Sequence, residues 1–140
     1  MTLRDYGVAG ARVARRAVRQ PRFGSREERL VFVVGCPRSG TTFLAGAIGS
    51  QPGFVDLGEV TPLKAVLPEL VAKPPAEAGA ELRRILERVR LLGLASGLRG
   101  VEQTPETAHV LGAALSVYPQ ALAVHSVSYT HLTLPTILLV

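Results

Sequence analysis

The chain has 140 residues, 47% of them apolar, and a formal net charge of +5. That length is about one domain, and the apolar fraction excludes a disordered polymer. No apolar run approaches the roughly 18 to 20 residues of a membrane-spanning helix, and arginines interrupt the N-terminus before a secretory segment can form, so a cytoplasmic protein without a transmembrane segment is expected. The single cysteine, Cys36, excludes an internal disulfide framework and any multi-cysteine metal site.

In chain order, residues 1–29 form a basic leader that holds the whole charge excess, eight arginines against Asp5, Glu27 and Glu28. Arg12, Arg15, Arg16 and Arg19 fall on one face of a helix, where a solvated face is favoured over a contact with an anionic surface or an acidic substrate, and no nucleic-acid partner is expected. Residues 30–34 (LVFVV) are a continuous β-branched run, the pattern of a central parallel strand buried on both faces. A helix is predicted over 41–50 and is stopped by the turn at 51–53. A second, over 62–71, should be kinked or split by Pro68 and ended by the KPP break at 73–75. A third covers 81–92, with Leu82, Ile85, Leu86 and Val89 on one face. Thr104 and Pro105 start a fourth, which Tyr118 and Pro119 terminate near residue 117. Residues 121–127 (ALAVHSV) are a second buried-strand candidate, with His125 in the core. This order predicts an α/β domain over 30–126, its parallel sheet flanked by helices. The stretch VSYTHLTLPT at 127–136 resembles, codon for codon, the translation of a transposon adapter used in sequencing-library preparation. Residues 127–140 are therefore expected to be a non-native tail.

Between the first strand and the first helix lies VFVVGCPRSGTTF. Gly35 and Gly40 have the spacing of a phosphate-binding P-loop, whose backbone N–H groups and helix dipole favour an anion. Arg38 can fork two oxygens of a phosphate or sulfate, and Ser39, Thr41 and Thr42 add hydroxyls, which makes Arg38, Ser39, Gly40, Thr41 and Thr42 the candidate binding set. Thr41 stands where a nucleotide hydrolase carries its lysine, and no Mg-binding aspartate is visible after a second strand. A P-loop kinase or nucleotide-binding module stays an alternative, as does a noncatalytic interaction domain working through the leader. A thiolate phosphatase would need its arginine at position 42, which is Thr, so Cys36 reads as a small buried filler. His109 reads as structural.

With these residues in view, GCPRSGTTFLAGAIGSQPGFVDLGE resembles the 5′-phosphosulfate loop of the sulfotransferases, the branch containing tyrosylprotein, carbohydrate and bacterial enzymes. VEQTPETAHVLGAALSVYPQALAVHSV is similar to that family's E-x-T-P helix, its proline turn and its next strand. The resemblance implies transfer of a sulfuryl group from 3′-phosphoadenosine-5′-phosphosulfate (PAPS) to a hydroxyl or amine of a sugar, protein tyrosine, lipid or small molecule, with no metal. It implies that Arg38 and the backbone from Ser39 to Thr42 hold the phosphosulfate, and that Glu59 is the general base, its pKa raised by burial. Gln103 departs from the pattern, since many relatives have lysine there. The arginine that grips the 3′-phosphate should follow the 121–127 strand, where SYTHLTLPT stands instead. The chain is thus expected to be an N-terminal fragment of its parent, inactive and weak in donor binding.

Overall fold

The computed structural model describes Ala11, residues 30–92 and residues 98–128. The expected helix face at Arg12–Arg19, the rest of the leader and most of the expected tail, His131 included, lie outside the described residues. Four strands, β1 (Val31–Gly35), β2 (Phe54–Gly58), β3 (Arg99–Glu102) and β4 (Leu122–Ser126), form one sheet in the order β2-β3-β1-β4. Every neighbouring pair is parallel. The helices are α1 (Thr41–Gly49), α2 (Thr61–Ala72), α3 (Pro75–Leu92) and α4 (Leu111–Val117), with a 3-10 helix at Pro105–Val110 leading into α4.

Alternation along β1 sorts the core onto two sides of the sheet. Val31 and Val33 meet Ala45 of α1 and Val101 of β3 in a small cluster. Leu30, Phe32 and Val34 join the larger one, which α2, α3 and α4 supply with Leu63, Leu67, Leu82, Ile85, Leu86 and Ala114. Tyr118, fully buried at the end of α4, packs on Phe32 at 6.3 Å between ring centroids and donates its hydroxyl to Glu87 of α3 at 3.0 Å. Arg90 donates to the same carboxylate oxygen at 2.9 Å, so α3 and α4 are pinned by a charged knot at the core's edge.

Three expectations need correction. β2 and β3 were not foreseen as strands. β4 lies where expected and parallel to β1, but it is an edge strand: Leu122 is 65% exposed and His125 is exposed, because α1 and α2 to α4 cover the strands on its other side. Pro68 does not split α2, which runs through it with the proline on the exposed face.

Candidate functional site

Because the sheet is parallel, the C-terminal ends of all four strands share one edge. β1 sits where the topology switches: the chain leaves it for β2 and β3 on one side and later returns to β4 on the other. In open α/β sheets such a switch point opens a crevice in which ligands bind. The loop between β1 and α1 fills that position.

The loop's shape follows from close backbone approaches. Gly35 lies so near β4 that a Cβ there would sit 2.3 Å from the Ser126 carbonyl oxygen and 2.9 Å from Ser39 Oγ. Ser126 Oγ donates to the Ser39 carbonyl at 2.6 Å, tying loop to edge strand. Arg38 takes a left-handed conformation at φ 71° and Gly40 another at φ 85°. An alternation of handed residues of this kind turns successive N–H groups toward one concavity. Gly40 is the N-cap of α1, and no side chain caps the amides that follow, so the first-turn N–H groups of Thr41, Thr42 and Phe43 remain for an external acceptor.

The candidate set divides. Arg38 and Thr42 are exposed at the mouth, Thr41 is buried beneath it, and Ser39 Oγ is buried with no hydrogen-bond partner among the described residues. The Ser39 amide is not part of the cradle, because it closes the turn by donating to the Cys36 carbonyl at 3.1 Å. Cys36 is exposed, not a buried filler, since the loop lifts it off the end of the sheet. His109 lies on the exposed side of the 3-10 helix.

Glu59 leaves the end of β2, on the same edge but with β3 between it and the loop. Two strand spacings put it roughly 10 Å to the side. It is an exposed carboxylate, bonded to Lys64 Nζ at 2.7 Å, and Lys64 also reaches Glu106 at 3.7 Å. The expected burial of Glu59 is therefore absent. The bond to Glu59, more than the nearby charges, holds the Lys64 ammonium above its usual range.

The buried carboxylate at this edge is Glu102, at the end of β3 and fully enclosed. Burial pushes it up to about 7, while hydrogen bonds from Thr104 pull the other way. Gln103 is also buried, its Oε1 without a partner among the described residues. Nothing in the residue types marked Glu102 as interior; the signal would have been the recognition of RGVE as a strand, whose pleat turns Val101 toward α1 and Glu102 toward the larger core.

Comparison of the chain with protein-family profiles, with curated proteins and with solved structures finds no match.

Proposed function

We propose that the protein is a sulfotransferase in which the loop at 35–42 holds the 5′-phosphosulfate of PAPS and Glu59 accepts the proton of a hydroxyl or amine acceptor. The observation that supports this most is the combination of an exposed, left-handed Arg38 with uncapped first-turn amides at the switch point of a parallel sheet, and no lysine in the loop. A triphosphate with its metal needs that lysine; a sulfuryl group in flight carries less charge, and N–H and guanidinium donors suffice for it. In the reaction the acceptor oxygen loses its proton to Glu59 and forms the new S–O bond. The S–O bond to the phosphate breaks, and the electron pair leaves with adenosine 3′,5′-bisphosphate, whose 5′-phosphate is held by Arg38 and the α1 amides. The Ser39 hydroxyl, buried and unmatched, is a further donor available to the bound group.

Resemblance to the family puts a 3′-phosphate arginine after β4, where this chain reads SYTHLTLPT, so the test is made on the 5′ end of the donor, which Arg38 and the α1 amides are proposed to hold. Titrating the chain with adenosine 3′,5′-bisphosphate, followed by amide NMR, tests the reading. Shifts are expected at Thr41, Thr42 and Phe43, and Arg38→Ala should weaken them roughly 10- to 100-fold in affinity. Tighter, Mg-dependent shifts with ATP at the same amides would assign the loop to a kinase instead.

A further inference from the structure

Two buried hydrogen bonds lie where β2 and β3 end, one within the exit of β3 and one from it to the exit of β2. The Thr104 N–H donates to Glu102 Oε1 at 2.7 Å, and the Val60 N–H donates to Thr104 Oγ1 at 3.2 Å. They act where the backbone ladder is fading. The register of β2 on β3 shifts between Asp56 and Gly58, Gly58 is left-handed at φ 70°, and the last backbone bond, from Gln103 N to the Gly58 carbonyl, is long at 3.3 Å. The strand pairing therefore does not fix how Glu59 leaves the sheet. Thr104 does, by holding the next residue, and Glu102 holds Thr104.

We propose that Glu102 and Thr104 are positioning residues, a relay that sets the Glu59–Val60 turn against the edge of the sheet and so aims the carboxylate of Glu59. The role given to Glu59 rests on the sulfotransferase reading; the relay itself does not.

A neutral amide at position 102 could accept the Thr104 bond equally well, so an ionisable group there has a consequence. Its second oxygen, Oε2, is buried without a hydrogen-bond partner among the described residues, with the Thr107 hydroxyl close by. The charged and titratable groups on the elements around it are Asp56 and Glu59 from β2 and its exit, Glu106 and His109 on the 3-10 helix, Lys64 and Glu69 on α2, and Arg99 on β3 itself. β1 and α1 carry none. Lys64 is engaged with Glu59 and Glu106, and no ion pair reaches Glu102 among the described residues. Burial raises the Glu102 pKa to about 7 although its hydrogen bonds favour the carboxylate, so above that pH states that let the carboxylate reach water gain over the closed one. The relay therefore opens more readily as Glu102 ionises.

The experiment is amide hydrogen exchange on the 140-residue chain, read as protection factors at Val60 and at Leu86 in α3. Wild-type protection at Val60 should fall between about pH 6 and about pH 8 while Leu86 holds. Thr104→Val should cost Val60 roughly tenfold in protection, Thr104→Ser should restore it, and Glu102→Gln should keep the protection and flatten its pH profile. A flat wild-type profile at Val60, or unchanged Val60 protection in folded Thr104→Val, overturns the relay. Arg38→Ala should leave Val60 untouched while weakening bisphosphate binding roughly 10- to 100-fold. If the wild type binds no bisphosphate and Val60 still behaves as stated, the relay is upheld and the sulfotransferase reading falls.

Discussion

Three residues of the loop at 35–42 separate close packing from backbone strain. At Gly35 a side chain would strike the Ser126 carbonyl at 2.3 Å, a backbone atom that cannot swing aside, so Gly35→Ala should cost more than about 2 kcal/mol in urea denaturation. At Gly40 a Cβ would meet nothing within 4 Å, and only the left-handed φ of 85° resists substitution; Gly40→Ala should cost about 1 kcal/mol. Arg38 already bears that strain, as a non-glycine residue at φ 71°. Arg38→Gly should therefore raise the melting temperature by several degrees, about 1 kcal/mol of relief, while weakening bisphosphate binding; Arg38→Ala should weaken binding with no such gain. Opposite signs in stability and binding are the signature of strain kept for a ligand. Glu102 adds a pH term. Its folded pKa of about 7 exceeds the ordinary 4.5, so between those values the folded chain holds the proton more tightly than the unfolded chain. That stabilisation is complete below about pH 4.5 and is lost as pH rises through about 7. The loss is on the order of 3 kcal/mol, and denaturation of Glu102→Gln across that range should lack it.

Among the elements, those whose pattern repeats were legible and those defined by their neighbours were not. β1 is an unbroken β-branched run, and α1 follows a glycine loop and ends at a proline turn, so both stand within a residue of their expected places. β3 is RGVE, with one large apolar residue in four; it is a strand because β1 and β2 flank it on both sides, which no local window contains. β2 was hidden for a related reason, its Asp56 serving as acceptor for the Gly58 N–H at 2.8 Å just where the chain bends. The prolines at 74 and 75 were read as a break, whereas Pro75 opens α3, a position at which its missing N–H costs nothing. β4 was located correctly, but burial depends on what covers a strand, and periodicity cannot report that. Packing of α3 on α4 provides a test at this scale. A Cβ at Gly79 would lie 2.8 Å from the Ala113 carbonyl and 2.8 Å from Val117 Cγ1. Gly79→Ala should push α4 outward and lower stability by about 1–3 kcal/mol despite alanine's better helix propensity. Tyr118→Phe, which only removes the bond to Glu87, should cost about 1 kcal/mol in the same assay.

Over the whole molecule, the candidate site has a contiguous half and a dispersed half. The loop was readable because its residues are neighbours in sequence. The Glu59 turn was readable only as a position, since the residues that hold it, Glu102 and Thr104, come more than forty residues later, Val60 and Thr104 being separated by 44. The basic leader can be tested apart from both. Removing residues 1–29 should leave the bisphosphate-induced shifts at Thr41 and Thr42 unchanged; their loss would favour a domain that works through its arginines. The bond from Ser126 to Ser39 spans 87 residues, and this sets an order of events during synthesis. At roughly 5–20 residues per second the loop leaves the ribosome several seconds before the strand that gives it shape. A nascent chain can therefore expose PRSGTT before the loop has its shape, and the candidate site is complete only when β4 slides in beside β1.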